Sequence, residues 1–433
     1  MEKTKVAIVG LGTVGSGVAK ILLANSERTA RHAGRRRLWL EQVVVRDVRK
    51  PRDVTLPAGV LSEDLQRILK DPEIVAVAHL VGGLEPARTI LLQLLESGKD
   101  VITANKALLA EHGPELFDRA RALGRTIAFE AAVAGGIPII ANIGQCLSAN
   151  QILSLHGILN GTSNFILSAM ENEGKDYSAA VAEAQRLGYA EADPTLDVDG
   201  SDAAQKLAIL AHLAFGTRVH WSEISRRGID DLDPVELHFA KELGYRIKLL
   251  AVAQLAESGL EMHVSPTMVK IGSPLGEVHD AYNAVSVVGD AVGRIFFHGL
   301  GAGQMPTASA VVADMIDTIV GRTAITFRTL EPWTNLEIAP RPVAHGASQG
   351  RYYLRFRVAD RPGVLADIAG SLGRQGISIA SVIQHETQDG SEGTVPLVIM
   401  THSSSEGAIE QALREIHTLQ AVGGKCVKLR VRN

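Results

Sequence analysis

The chain has 433 residues, 46% of them hydrophobic, and a formal net charge of −4. That length buries sizeable cores and divides into two or three domains, while so even a charge balance points away from nucleic acid as a partner. No run of about twenty residues lacks charge as a bilayer span would, and the start MEKTKVAIVG leads directly into a strand-like run, so a cytoplasmic protein without a membrane role is expected. The two cysteines, Cys146 and Cys426, are too few for a disulfide framework and lack zinc-site spacing; buried free thiols are expected.

Up to about residue 130, strand-like and helix-like stretches alternate: KVAIVG, GTVGSGVAKILLA, EQVVVRD, EIVAVAHLVGG, PARTILLQLLESG, DVITAN, LFDRARALG and RTIAFEA. This alternation predicts an α/β unit with a parallel sheet wrapped by helices. Residues 27–39, with Arg28, Arg31, Arg35, Arg36 and Arg37, read as a solvated helix or loop between two elements.

The first strand runs into VAIVGLGTVGSG, where Gly10, Gly12 and Gly15 complete GxGxxG before a helix whose Val14, Val18 and Leu22 share one face. Glycine is needed where the turn is tight and the backbone must approach a pyrophosphate, and the helix start offers unpaired N–H groups to the anion. A Rossmann-type dinucleotide site is therefore predicted, with Thr13 and Val14 in the same turn. After the second strand, Arg46 precedes Asp47 where an acidic residue usually holds the ribose hydroxyls. Arg46, with Arg49 or Lys50, can pair a 2′-phosphate, which favours NADP, while Asp47 keeps NAD open. Gly82 and Gly83 in LVGGLEPA, and Thr103, Asn105 and Lys106 in DVITANKALLA, fall where strands of the same sheet should end and ligands bind.

From about 150 to 330 the helices lengthen and runs such as MHVSPTMVKI join them, predicting an α+β domain. Within it, LGYAEADPTLDVDGSDAAQKLAIL sets Glu191, Asp193, Asp197, Asp199 and Asp202 within twelve positions ahead of Lys206. One-turn spacing runs from Asp202 through Lys206 to Leu210 and Ala214, so the charged pair heads a stripe that becomes apolar. Burial, the helix N-terminus and a neighbouring Lys106 lower a lysine pKa, whereas Asp202 raises it; the sequence does not sign the balance at Lys206. Asp193 and Asp199 read as capping or loop residues. Residues 339–350, APRPVAHGASQG, form a Pro- and Gly-rich linker, and the remainder follows the order βαββαβ.

Taken in order, the glycine turn, VITANKALLA, FEAAVAGGIPII, GILNGTSNFIL, the acid-rich segment, LAFG and GAGQMPTASAVVAD closely resemble the homoserine dehydrogenases over roughly residues 1–325. Residues 352–431, with DRPGVLADIAGSLGRQGISI, resemble an ACT domain. The resemblance implies the NAD(P)-dependent interconversion of L-aspartate 4-semialdehyde and L-homoserine, in the pathway to threonine, methionine and isoleucine. It implies a Rossmann domain over 1–130 completed by a segment near 300–320, a catalytic and dimerisation domain over 131–338, and an ACT regulatory domain over 351–433. It further implies that Glu191 and Asp202 bind substrate with Asp197 in support, that Lys206 donates the proton in reduction, and that Lys106 touches cofactor and substrate. Gly188 and Tyr189 match pocket residues, Gly188 on the cofactor side, and Gly303 matches a backbone neighbour of the cofactor. Glu130, Val133, Gly135 and Ile137 match a loop that holds a monovalent cation such as sodium, mainly through backbone oxygens. A threonine effector at the ACT domain and a homodimer or homotetramer are implied as well.

Two positions depart from the family's pattern: His79 replaces an acidic residue before the double glycine, and Gln205 replaces a histidine before Lys206. His79 reads as a core histidine. Two rival readings differ in chemistry. An aspartate-semialdehyde dehydrogenase needs an activated cysteine, and Cys146 has no histidine close in sequence. A non-catalytic amino-acid sensor would bind NADPH without consuming it.

Overall fold

The computed structural model describes residues 2–333, 339–384 and 394–432. Its first sheet is built from β1 (Glu2–Val9), β2 (Arg36–Val44), β3 (Leu61–Ser62), β4 (Ile74–His79), β5 (Asp100–Thr103) and β6 (Ile127–Ala128). All pairs are parallel, in the order β3-β2-β1-β4-β5-β6. This is the doubly wound order, with its switch point between β1 and β4. The apolar ends of β1 and β4 are buried from both faces, as parallel strands under helices must be. One of the covering helices is distant in sequence: Gln304–Ile319 lays Ala308, Val311, Val312 and Met315 against Val18 and Leu22 of the helix Thr13–Ala24. A Cβ on Gly17 would lie 2.8 Å from that of Ala308, so the two helices meet through glycine.

Strand β2 begins earlier than expected. Only Ser26–His32 of the arginine-rich stretch is helical, and Arg36 and Arg37 already belong to the strand. Their side chains are used there: Arg36 donates to the Ile319 carbonyl at 3.0 Å, and Lys3 and Arg37 lie over the Trp39 ring.

The second sheet has eleven strands, β7 (Ile152–Ile158), β8 (Ser225–Arg226), β9 (Tyr245–Ala256), β10 (Gly259–Lys270), β11 (Tyr282–Gly289), β12 (Gly293–Leu300), β13 (Gln349–Ala359), β14 (Ile379–Gln384), β15 (Thr394–Thr401), β16 (Ser404–Ser405) and β17 (Val422–Arg432). Its main path is β12-β11-β7-β9-β10-β17-β13-β15-β14. With the helices Val364–Arg374 and Glu406–Ile416, the C-terminal part follows the expected βαββαβ order. The sequence ISIASVIQHE reads as the second strand of that unit, and its end, His385 and Glu386, lies outside the described residues.

The C-terminal unit is fused into the larger sheet. β17 pairs in parallel with β10, Met268 facing Val431. Beside this seam Glu236, fully buried, accepts from Tyr353 Oη at 2.8 Å and Arg355 Nε at 2.6 Å. The proline-rich linker is bonded to the same edge, Leu260 N to Arg341 O and Val343 N to Leu260 O, both at 2.9 Å.

Against one face of this sheet packs the helix Ser201–Phe215, in which every residue but His212 is buried. The stripe from Asp202 to Ala214 is thus one side of a helix that is central all round, and its two charges are deep in the protein. Cys426 is buried, its thiol pushed up to about 12 by desolvation. Cys146, expected to be buried, is exposed, because the short turn Asn142–Cys146 ends at the surface. Among the described residues no helix is long and apolar enough to cross a membrane.

Candidate active site

The three glycines of the turn at the end of β1 differ in what surrounds them. Gly10 has φ +97°, and a Cβ there would lie 2.6 Å from the Leu80 carbonyl oxygen. One on Gly15 would lie 2.2 Å from Gly10 O, so β1 and the helix can approach only without a side chain. Gly12 has no atom within 4 Å of its Cβ position and caps the helix without a side chain. The N–H groups of its first turn, from Thr13 and Val14 onward, are open to an anion. This geometry fits a dinucleotide pyrophosphate.

The neighbouring loops are tied together by Asn105. Its Nδ2 donates to Val81 O at 2.9 Å and Gly83 O at 2.7 Å, fixing the loop that holds Gly82, while its Oδ1 caps the helix Lys106–Ala122 at Leu108 N. Thr103 is buried beneath, its hydroxyl accepting from Asn105 N at 3.2 Å. His79 is fully buried, with Nδ1 3.5 Å from that hydroxyl; desolvation lowers it to about 4 and keeps it neutral. At the end of β2, Arg46 and Lys50 are exposed, whereas Asp47 uses its carboxylate to accept from Arg49 N at 2.8 Å. Gly303, φ +134°, starts the helix that packs on the glycine-turn helix.

The helix starting at Lys106 and the central helix bring two lysines to one carboxylate. Asp202 Oδ2 accepts from Lys206 Nζ at 2.7 Å, and Oδ1 pairs with Lys106 Nζ. Lys206 donates also to the Leu159 carbonyl at 2.7 Å. Asn160 Nδ2 bridges Asp197 Oδ1 and Asp202 Oδ2, both at 2.8 Å, while its Oδ1 caps the next helix at Ser163 N. The two lysines diverge in pKa because they differ in exposure, side-chain values being 11% for Lys206 and 40% for Lys106. For Lys206 burial prevails, aided by the charge of Lys106, and lowers its pKa despite Asp202. For Lys106 burial also acts downward, but Asp202, Asp197 and Glu191 together raise its pKa. Asp202 is held well below the usual carboxylate range: the two ammonium groups outweigh a desolvation that alone would raise it. Asp197 is shifted upward, by burial first and by the charge of Asp202.

The rest of the acid-rich segment is sorted by the same geometry. Asp193 accepts from Thr195 N and Oγ1 and Asp199 from Ser201 N and Oγ, so both cap short turns as expected. Glu191 is exposed. Gly188 ends the helix Tyr177–Leu187 with φ +79°, and Tyr189, also exposed, stacks near Phe165 while Thr162 Oγ1 donates to its carbonyl at 2.6 Å. Asn160 was given no role from sequence; its position immediately before GTSNFIL is the signal of an N-cap.

In the loop after β6, Glu130 is buried with its carboxylate accepting from Ile140 N and Ala141 N, at 2.9 and 2.8 Å. Its own N–H donates to Asp314 Oδ2. Burial pushes Glu130 up to about 7 and Asp314 well above the usual range. Val133, Gly135 and Ile137 of the same loop are buried, and the Ile137 carbonyl accepts from Ile139 N at 2.8 Å.

A dinucleotide cradle at the switch point of a doubly wound sheet, with two lysines sharing one buried carboxylate, is the arrangement of a nicotinamide-dependent oxidoreductase. Family models for homoserine dehydrogenase match residues 138–316, for its NAD-binding domain residues 10–130, and for the ACT domain residues 352–419. The chain belongs to the homoserine dehydrogenase family. It is 43% identical to the homoserine dehydrogenase of Pseudomonas aeruginosa, covering 100% of this chain and 99% of that protein, and 43% identical to that of Synechocystis sp., covering 96% and 97%. Its fold matches the crystal structure of a homoserine dehydrogenase from Thiobacillus denitrificans with a TM-score of 0.92 at 42% identity, covering 100% and 99% of the two chains. A hyperthermophilic archaeal homoserine dehydrogenase in complex with NADPH matches at 0.61 and 25% identity, over 73% of this chain and 97% of that one. The enzyme thus interconverts L-aspartate 4-semialdehyde and L-homoserine with a nicotinamide cofactor, a step of amino-acid biosynthesis, and neither the cysteine-based nor the non-catalytic reading stands.

Proposed function

We propose that Lys206 is the acid that protonates the aldehyde oxygen and that Lys106 orients substrate against cofactor. The Lys106–Asp202–Lys206 arrangement carries this reading. When bound, the reduced nicotinamide supplies a hydride to the aldehyde carbon. Two of the three Lys206 ammonium protons are engaged by Asp202 and Leu159, which leaves the third for the carbonyl oxygen. As charge builds on that oxygen, the ammonium stabilises it and then gives up the proton. Asp202, with both oxygens turned to lysines, serves first by holding them; Glu191 and Asp197 are left to meet the substrate ammonium, and Tyr189, packed on Phe165, is a further pocket residue in this reading.

The pH dependence carries a definite sign. Reduction needs Lys206 charged, so its kcat/KM falls as pH rises through a pKa lowered by burial below the ordinary lysine value of about 10.4; oxidation needs it neutral and rises over the same range. Profiles measured in both directions should cross. Limbs of the same sign in both directions would remove Lys206 from the proton transfer.

Gly10, Gly12, Thr13, Val14, Gly15, Gly82, Thr103, Gly188 and Gly303 form the cofactor's surroundings in this reading. NADP is the preferred cofactor, supported by exposed Arg46 and Lys50 and by an Asp47 carboxylate already used within its own turn. Arg46→Ala should raise KM for NADPH about tenfold, the scale of one charge-assisted contact of about 1.5 kcal/mol, and leave KM for NADH unchanged. An equal change for both cofactors would place the 2′-phosphate elsewhere.

Main-chain oxygens of Glu130, Val133, Gly135 and Ile137 hold a monovalent cation with a structural role, supported by the buried acids beside them; unfolding temperature in sodium against choline chloride is the measurement. Threonine is the effector of the ACT domain, read out as inhibition of the full chain, and the enzyme works as a cytoplasmic homodimer or homotetramer, read out by light scattering. Residues 1–130 with the helix Gln304–Ile319 form the dinucleotide domain, 131–338 the remainder of the catalytic part, and 351–433 the regulatory one, joined through 339–350.

A further inference from the structure

The carbonyl oxygen of Leu159 has two donors. One is Lys206 Nζ at 2.7 Å, the other Asn283 Nδ2 at 3.0 Å, so both lone pairs are used. Asn283 comes from β11, the antiparallel neighbour of β7; since Ala284 faces Ile158, the register brings Asn283 beside Leu159. Its side chain is 1% exposed and is wedged between two glycines. A Cβ on Gly301 would lie 2.0 Å from Asn283 Nδ2, and one on Gly161 3.4 Å from Oδ1. Gly301 needs no left-handed backbone, so it is the closeness of this amide that excludes a side chain there. Among the described residues Asn283 Oδ1 has no hydrogen-bond partner. A buried amide oxygen left unpaired costs stability, a cost that an apolar side chain of the same branching would avoid.

We propose that Asn283 is a positioning residue for the reaction, acting through Leu159 on Lys206. The inference rests on the reading of Lys206 as proton donor. An ammonium held by two fixed acceptors has the direction of its third N–H determined. Asp202 supplies one acceptor from the same helix and Leu159 the other from the end of β7; Asn283 stops the Leu159 carbonyl from tilting away. The charged groups around Lys206 are Asp202 on its own helix, Lys106 at the start of the helix Lys106–Ala122, and Asp197 from the preceding turn. Asn283 adds no charge to this set, so it can fix geometry without altering the balance that sets the lysine's pKa.

Three variants of the full chain test this, with kinetics followed by NADPH absorbance, NADPH affinity by fluorescence titration, and folding by thermal unfolding. Asn283→Leu keeps the forked shape and removes the donor: kcat for reduction should fall about 10- to 100-fold, since a 1 Å misplacement costs about that much, with KM for the aldehyde and NADPH affinity little changed. Asn283→Asp adds a carboxylate beside Lys206 and should move the alkaline limb of kcat/KM to higher pH, a shift that a purely structural role does not produce. Gly301→Ala drives the amide off Leu159 from the other side and should reproduce the loss in kcat. Wild-type kcat in folded Asn283→Leu, or a wild-type pH limb in Asn283→Asp, overturns the proposal. If the Asn283 variants do not fold, Gly301→Ala decides alone, and its failure to fold also counts against the proposal by assigning the residue to the fold. Turnover retained by Lys206→Ala would bring down the proton-donor reading itself. An inactive Lys206→Ala beside a fully active Asn283→Leu rejects only the positioning role.

Discussion

Lys206→Ala should lower kcat for aldehyde reduction by about 10³-fold while leaving NADPH affinity within a factor of two. The magnitude is that of positioned proton transfer, about 10²- to 10⁴-fold, together with the charge the ammonium offers the developing alkoxide. The dinucleotide cradle lies at the ends of β1 and β4, and its turn is held by Gly10, Gly15 and Leu80 without help from the lysine, so cofactor binding should survive. Lys206 is deeply buried, and its removal also leaves Asp202 with Lys106 and Asn160 as partners, enough to keep the carboxylate paired. A folded variant that still turns over at near the normal rate would show that water or another group delivers the proton. Titration of NADPH fluorescence, alongside steady-state absorbance, separates loss of chemistry from loss of binding.

Asp202→Asn should be the more damaging change, because it acts on both lysines at once. The amide keeps the shape and loses the charge that holds Lys106 and Lys206 together. Breaking a buried ion pair from one side costs about 3–5 kcal/mol, and here two cations are left facing each other. The expected results are a fall in unfolding temperature of several degrees and a fall in kcat/KM beyond that of Lys206→Ala. The acid side should change as well. Because the folded-state pKa of Asp202 lies below its unfolded value, its contribution is present above about pH 4 and lost as pH falls through the folded value. The variant lacks this component, so its stability should depend less steeply on pH in the acid range. Equal acid profiles for the two proteins would mean that Asp202 is not the stabilised carboxylate.

What could be read from the sequence was local. The glycine turn and the Asp202–Lys206 spacing each state their geometry within a few residues; the helix start at Lys106, capped by Asn105, was not read and stood only as the loop ending a strand. The start of β2 was lost because Arg36 and Arg37 break the apolar alternation; they are compensated by Ile319 and Trp39, which local pattern does not reveal. Strand β9 is buried from Ile247 through Ala253, an apolar run broken only by Lys248, with the same signature as a buried helix. Leu159 was invisible as an active-site group because it acts through its main chain. The sign of the Lys206 shift had to wait for the structure, since only the difference in exposure between two lysines settles it.

The pairing of β10 with β17 gives the two halves of the molecule a common spine. The loop after β8 lies alongside: Arg227 grips the Lys428 carbonyl, and two residues on Ile229 N bonds to Val198 O at 2.8 Å, one turn ahead of Asp202. A short chain of hydrogen bonds thus ties the sheet shared by the two halves to the segment that leads into Asp202.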